Sequence, residues 1–190
     1  MDTINIKIQL DSLVCHKRQS GGEPYIWTIF FKADNSCLKI TDKFRLQGKP
    51  EFKFSDGGHS TLGRHPAGKR IVVPETLGTW QTTLEPFWIE HFEQPTIGVA
   101  GLVFIVLEHH NLSNEGAEAA HKALNRFVMQ AADRVIADFD PRRIELLNFT
   151  KTVTAYFGDA FKKEFGAIQE VIVEAVKNSQ TMIQNIWTLV

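Results

Sequence analysis

One glycine-rich stretch has the residue types of a phosphate-binding loop. Residues 63–69, Gly-Arg-His-Pro-Ala-Gly-Lys, match the motif Gly-x-x-x-x-Gly-Lys-Ser/Thr up to its last position. That position, which should bring a hydroxyl group to Mg²⁺, is Arg70, and the residues after it have a strand pattern where the motif needs a helix. The sequence therefore predicts a basic loop between strands and no nucleotide site.

The seven histidines raise the question of a metal site. His109 and His110 are adjacent, and His121 follows within a helical pattern. Neighbouring residues on a strand point to opposite faces, and no further ligands stand at a zinc spacing, so we expect loop or core histidines. Cys15 and Cys37 have no nucleophile motif around them, and no catalytic residue is predicted. A hydrolase that uses His109 or His110 is the weakest alternative.

Charge is segregated along the chain, although the formal net charge is only −1. Residues 39–70 carry eight basic and three acidic side chains, whereas residues 71–121 carry seven glutamates and no lysine or arginine. A cationic sheet face suits anionic lipid headgroups or an acidic protein. A solvated face neutralised by the acidic segment is the alternative. The candidate lipid- or partner-binding residues are Lys39, Lys43, Arg45, Lys53, Arg64, Lys69 and Arg70.

Length and composition indicate an ordinary globular protein. A chain of 190 residues, 43% hydrophobic and 23% charged, is long enough for a large core. No secretory pattern follows Met1, and the longest apolar run, residues 96–107, is shorter than the roughly 20 residues of a membrane-spanning helix. We expect a soluble, cytoplasmic protein that associates with membranes only at their surface. We expect no nucleic-acid partner.

Alternating patterns place strands in the first part of the chain. Residues 4–10 alternate apolar and polar side chains. Residues 25–32 are almost all β-branched or aromatic, so we predict a central strand with both faces buried. Two strands with one wetted face are expected between residues 38 and 54, and further strands at 71–73, 79–84 and 99–107.

The apolar period changes to three or four residues after residue 112. Ser113 is the predicted N-cap of an amphipathic helix that stops at Asp140 and Pro141. A second helical pattern runs over residues 144–186, with a bend expected at Gly158 or Gly166. We expect a helical hairpin packed on or projecting from the strands. A docking or membrane-active second helix, as in a secreted toxin or pore-forming component, is the alternative.

Two stretches resemble the C2-type β-sandwich, a calcium- and lipid-binding domain. In residues 10–32 a polar loop leads into Gly-Gly-Glu-Pro-Tyr-Ile-Trp, similar to the family's Gly-x-Ser-Asp-Pro-Tyr-Val. Within residues 102–114, Val-Phe-Ile-Val-Leu-Glu-His-His-Asn-Leu-Ser resembles the strand before the family's third binding loop. By this resemblance Glu23, Glu108 and His110 stand where the family has calcium-binding aspartates. Because calcium prefers several oxygen ligands, we predict no cofactor and no dependence on calcium.

The combined prediction is an α+β protein, with an antiparallel, C2-like β-sandwich over residues 1–112 followed by two long α-helices over residues 113–190. Its predicted function is non-catalytic: a calcium-independent module that docks on anionic membrane lipids or an acidic protein partner. A homo-oligomer formed through the C-terminal helices is a further alternative.

Overall fold

A computed structural model describes residues 2–14, 23–41, 43, 45–57, 62–63, 65, 68–89, 94–96, 98–109, 113–139, 159, 163, 167–178 and 186–187. Its strands are β1 (Ile4–Gln9), β2 (Ser12–Val14), β3 (Glu23–Ala33), β4 (Leu38–Ile40), β5 (Leu46–Gly48), β6 (Glu51–Phe54), β7 (Arg70–Val72), β8 (Thr79–Leu84), β9 (Phe87–Ile89), β10 (Gln94–Thr96), β11 (Val99–His109) and β12 (Ile186–Trp187). Its helices are α1 (Glu75–Gly78), α2 (Asn114–Asp138) and α3 (Ile168–Asn178).

The largest sheet is built around β3. This strand pairs along its whole length with β11, from Glu23 opposite His109 to Ala33 opposite Val99. Its other edge pairs with β6, and β12 pairs with β11, which gives the order β12-β11-β3-β6. The remaining described strands form the pairs β1-β8, β2-β7, β4-β5 and β9-β10. Every pair is antiparallel, so the mixed composition of antiparallel strands and helices is confirmed, whereas the described strands do not form a closed sandwich.

Both faces of β3 are buried, as its sequence predicts. Tyr25, Trp27 and Ile29 point to one face, and Ile26 and Phe30 point to the other, all almost fully buried. Burial of one such side chain contributes about 1.5–3 kcal/mol relative to leaving it in water. A strand with apolar side chains on both faces gains this energy only when layers cover both sides of its sheet.

The helices supply one of those layers. Ala117, Ala120 and Leu124 of α2 and Ile172 of α3 belong to the same core cluster as Trp27 of β3. The small side chains of Ala117 and Ala120 let the backbone of α2 approach the sheet closely, and the ring of Trp27 fills the remaining space. The predicted packing of the helices on the strands is therefore seen for the described parts of α2 and α3.

The opposite face of β3 contacts the smaller strand pairs. Ile26 packs with Leu62 and Ile71 in a second cluster. Between these apolar residues the hydroxyl of Thr28 donates a hydrogen bond to the backbone oxygen of Leu77, at 2.5 Å. Leu77 belongs to α1, a single turn that the alternating pattern of the sequence does not predict.

The start of α2 agrees with the sequence, and its stop agrees to within two residues. The hydroxyl of Ser113 accepts a hydrogen bond from the Gly116 amide at 3.1 Å, so this residue is the N-cap. The helix ends at Asp138, just before the predicted stop at Asp140 and Pro141.

The second helical pattern needs correction at its end. Ile186 lies in β12 and pairs with Leu107, so the helix does not extend to that residue. The described α3 has 11 residues and begins at Ile168, and both expected break points, Gly158 and Gly166, lie outside the described residues. Because β12 pairs with β11, the helices lie between two hydrogen-bonded strands in chain order.

Replacement of Leu124 by alanine tests the contact between α2 and the sheet. Leu124 is 0% exposed, so Leu124→Ala should lower the free energy of unfolding by about 2–5 kcal/mol. Met129→Ala is the matched control on the same helix, because Met129 is 39% exposed and its loss should change stability by about 0.5 kcal/mol at most. Urea unfolding followed by circular dichroism measures both values. Equal midpoints for the two variants would contradict this packing.

Candidate functional site

A short hairpin carries three of the predicted binding residues. β4 pairs antiparallel with β5, and the Thr41 amide donates a hydrogen bond to the Arg45 oxygen at 2.8 Å. Lys39, Lys43 and Arg45 are all exposed. We call residues 38–48 the basic hairpin; its one acidic residue, Asp42, lies outside the described residues. The prediction of two strands between residues 38 and 54 is wrong in number, because the described residues form three, and the first two, β4 and β5, pair antiparallel with each other.

The basic hairpin is fixed at its base. Leu38 is buried in a cluster that includes Phe87 and Val135, so one end of β4 is anchored in the core. Gly48 has a φ of 128°, and a Cβ atom there would collide with the backbone oxygen of Cys37. Only glycine combines this backbone conformation with such a close approach, and this fixes the end of β5 against the start of β4.

An open groove of about 440 Å³ runs along the basic hairpin. A guanidinium group, an ammonium group, a hydroxyl and an amide line it, and all four can donate hydrogen bonds to anionic oxygens. Its lining residues are Thr41, Lys43, Arg45, Leu46 and Gln47. Such a set can hold a phosphate or carboxylate group at the protein surface.

The other predicted binding residues lie on separate strands or loops. The Lys53 ammonium group donates to the Thr79 oxygen at 3.0 Å and lies 5.8 Å from the centre of the Phe30 ring. Arg70 donates from Nε to the Ser12 hydroxyl at 2.6 Å, on the β2-β7 pair. Lys69 is exposed beside Arg70, and Arg64 lies outside the described residues. A cationic sheet face would need Lys53 beside Lys39, Lys43 and Arg45, but Lys53 lies on β6, in a different sheet from the basic hairpin that carries the other three.

The glycine-rich loop has the context expected from its sequence. Its last residue, Lys69, leads into strand β7, and not into a helix whose N-terminus could face a phosphate. Gly63 and Gly68 have φ values of 77° and 78°, in the left-handed region that glycine adopts readily.

The positions that match calcium loops are brought together only in part. Glu23 lies opposite His109, and Glu108 lies opposite Pro24, because β3 and β11 are paired neighbours. His110 lies outside the described residues. Among the described residues, no group of three or more histidine, cysteine or acidic side chains is arranged to hold a metal ion.

A buried ionic cluster at the end of β3 escapes sequence analysis. The Lys32 ammonium group lies 3.6 Å from a carboxylate oxygen of Asp34 and 3.3 Å from one of Glu51. The side chains of Lys32 and Asp34 are 6% and 0% exposed. Asp34 also accepts hydrogen bonds from the Ser36 hydroxyl at 2.5 Å and from the Glu85 amide at 2.9 Å. Nothing in the sequence neighbourhood of Lys32 signals its burial.

The electrostatics of this cluster are those of a structural ion pair. Burial raises the pKa of Asp34, but hydrogen bonds from Ser36 and Glu85 and the charge of Lys32 outweigh it and lower that pKa below its ordinary value. Burial lowers the pKa of Lys32, but the charges of Asp34 and Glu51 outweigh it and raise that pKa. The lysine therefore stays protonated, and it cannot act as a base toward the Ser36 hydroxyl 3.1 Å away.

Comparison with protein-family models, with curated proteins and with solved structures finds no match. None of the helices in the described part of the chain combines the length and apolarity needed to cross a membrane.

Removal of one charge from the buried cluster should be far more damaging than removal of an exposed one. Asp34→Ala leaves the buried Lys32 charge with only the half-exposed carboxylate of Glu51 beside it, so we expect a loss of up to about 3–5 kcal/mol in the free energy of unfolding. The low pKa of Asp34 adds stability above the unfolded-state pKa, and this part is lost as pH falls through the folded-state pKa. Chemical unfolding across acidic pH measures both effects.

The control is the exposed pair of Lys122 and Glu118 on α2, at 3.5 Å. Lys122→Ala should cost about 0.3–0.5 kcal/mol, as exposed helical pairs do. The double variant Lys32→Met/Asp34→Leu should be more stable than the sum of its single variants implies, because no buried charge is left unpaired. A loss for Asp34→Ala no larger than for Lys122→Ala would refute this role.

Proposed function

We propose that this chain is a non-catalytic, calcium-independent module with a C2-like scaffold that docks its basic hairpin on anionic membrane lipids. The observation that carries the proposal is the groove of the basic hairpin, where Lys43 and Arg45 stand exposed beside a hydroxyl and an amide. Two of the other predicted binding residues, Lys53 and Arg70, already donate hydrogen bonds within the protein.

The expected strength of docking follows from the charge count. A basic residue close to an anionic membrane contributes about 1 kcal/mol, and the attraction decays within a Debye length. Lys39, Lys43 and Arg45 together therefore give weak binding that is reversible and sensitive to salt. Such binding suits a peripheral module and needs no inserted helix.

Support for a C2-like scaffold comes from strand pairing. The two stretches that resemble the family lie in β3 and β11, which are neighbours in one sheet. The ends of these strands, at Glu23 and His109, lie opposite each other, as the family's binding loops require. The family assignment itself remains part of the proposal.

An acidic protein partner is the closest competing interpretation, since carboxylates meet the same donors as phosphates. Lipid is favoured because Lys43 and Arg45 are exposed and line an open groove. A pore-forming role is less favoured, because the apolar residues of α2 and α3 in the core cluster are buried. No observation on the described residues favours a hydrolase, and homo-oligomerisation stays a prediction.

Co-sedimentation with vesicles tests the proposal. The protein should bind phosphatidylcholine vesicles that contain phosphatidylserine and should not bind vesicles of phosphatidylcholine alone. Added salt should release the bound protein from the vesicles. The variant Lys43→Gln/Arg45→Gln loses two basic residues worth about 2 kcal/mol, so its affinity should fall roughly 30-fold.

The matched control is Lys7→Gln/Arg126→Gln, which removes the same charge from exposed positions on β1 and α2. It should bind almost as tightly as the unaltered protein. Equal losses for both double variants, or no binding to anionic vesicles at low salt, would exclude docking through the basic hairpin. Retention on polyglutamate beads without vesicle binding would point to an acidic protein instead.

Calcium should not change the affinity for these vesicles. Glu23, Glu108 and His110 offer fewer carboxylates than a calcium-binding loop of the family needs. Co-sedimentation in calcium and in chelator should give the same bound fraction, within error. A bound fraction that rises with calcium, and falls back in Glu23→Gln, would contradict calcium independence while leaving membrane docking intact.

A further inference from the structure

One histidine is buried where α2 meets the sheet. His121 is 6% exposed, and its ring lies 5.1 Å from that of Trp27 in an edge-on arrangement. The backbone at Gly57, after β6, comes so close that a Cβ atom there would collide with Nδ1 of His121. The imidazole is thus enclosed by α2, by β3 and by the segment after β6.

The polar side-chain atoms of His121 and of its neighbour Asn125 have few hydrogen-bond partners. Nδ2 of Asn125, one turn further along α2, lies 3.4 Å from Nδ1 of His121. Nε2 of His121 and Oδ1 of Asn125 are buried and have no hydrogen-bond partner among the described residues. A protonated imidazole donates hydrogen bonds from both nitrogens. Protonation of His121 would therefore bury a positive charge whose Nε2–H group has no acceptor among the described residues. A buried charge without an acceptor costs much more than a buried neutral group.

The charges around His121 offer little compensation. Burial lowers the pKa of His121 below its ordinary value. The one described charge that raises this pKa is that of Asp56, which is exposed beside Gly57, and its effect is smaller than that of burial. Tyr25 on β3 is uncharged at neutral pH, since burial raises the pKa of its hydroxyl. On α2, Glu118 and Lys122 are exposed and paired with each other. The charged residues of α3, Glu170, Glu174 and Lys177, are all exposed.

We propose that His121 is an acid-sensitive latch: its neutral ring holds α2 against the sheet at neutral pH, and protonation releases the helix. In the released state the imidazole reaches water and keeps its proton, while the apolar residues Ala117, Ala120 and Leu124 lose their cover. The released state binds more protons than the docked one, so it gains population as pH falls below the ordinary histidine range. Acidic pH therefore favours the released state of α2, and neutral pH favours its docked state. This inference does not depend on membrane docking.

Amide hydrogen exchange at residue resolution tests the latch between about pH 7.5 and about pH 5. After correction for intrinsic rates, the opening constant of α2 amides such as that of Leu124 should rise by up to tenfold per pH unit below about 6.5. Amides of β8, such as that of Trp80, should change much less. A uniform change in α2 and β8 would indicate global acid unfolding and would overturn the proposal.

Variants separate this histidine from other sources of acid sensitivity. His121→Gln should abolish the acid response of α2, whereas His65→Gln, at a loop histidine, should retain it. Asp56→Asn removes the one favourable charge from an exposed position and should steepen the response. Persistence of the response in His121→Gln, or a weaker response in Asp56→Asn, would overturn the latch.

A direct titration protects the test against a variant that fails to fold. In the unaltered protein, the His121 ring resonances should titrate below the ordinary histidine value, because burial in the docked state opposes protonation of this ring. Nuclear magnetic resonance of histidine-labelled protein measures this. Titration of His121 at or above the ordinary histidine value would overturn the proposal even if no variant folds.

Discussion

Burial of both faces of β3 is the constraint on which the rest of the structure depends. A strand with Trp27 on one side and Phe30 on the other cannot be stable at an edge or with one wet face, because each exposed face would leave several large apolar side chains in water. The chain meets this requirement in two ways. Helices α2 and α3 cover the face of Trp27, and the smaller strand pairs cover the face of Phe30.

The same strand also sets the position of the basic hairpin. At its far end, Lys32 and Asp34 form the buried ion pair, and the Asp34 carboxylate accepts hydrogen bonds from the amide and the hydroxyl of Ser36. The turn that begins β4 is therefore tied to charges inside the core. Replacement of this pair by apolar residues would keep the burial but lose the hydrogen bonds that direct the turn.

Sequence patterns predict the elements whose signal is local. Alternation identifies β1 and β8, β-branched and aromatic content identifies β3, and Ser113 identifies the start of α2; the predicted strand at residues 79–84 agrees with β8 to the residue. The features that sequence patterns do not predict depend on contacts between residues that are distant in the chain. β12 is a strand only because it meets β11, and Lys32 is buried only because Glu51 and the Thr83 oxygen lie beside it.

The candidate site shows the same division. A count of charges places the basic residues within 39–70, but it cannot show which of them remain free to meet a ligand. Lys53 and Arg70, although exposed, donate hydrogen bonds to oxygens of Thr79 and Ser12, which lie 26 and 58 residues away in sequence. His121 is a similar case: its helical period places it toward the core, yet only the approach of Gly57 shows that its nitrogens are enclosed.

Helix α2 connects the two proposals physically. Its first half holds His121 and packs on Trp27, while Val135 and Ile136 in its second half pack with Leu38, the anchor of the basic hairpin. Leu38 keeps its buried position only while that second half stays docked. Release of the whole of α2 from the sheet would remove these contacts from Leu38. If His121 acts as the proposed latch, the basic hairpin therefore depends on the same helix that this histidine holds in place.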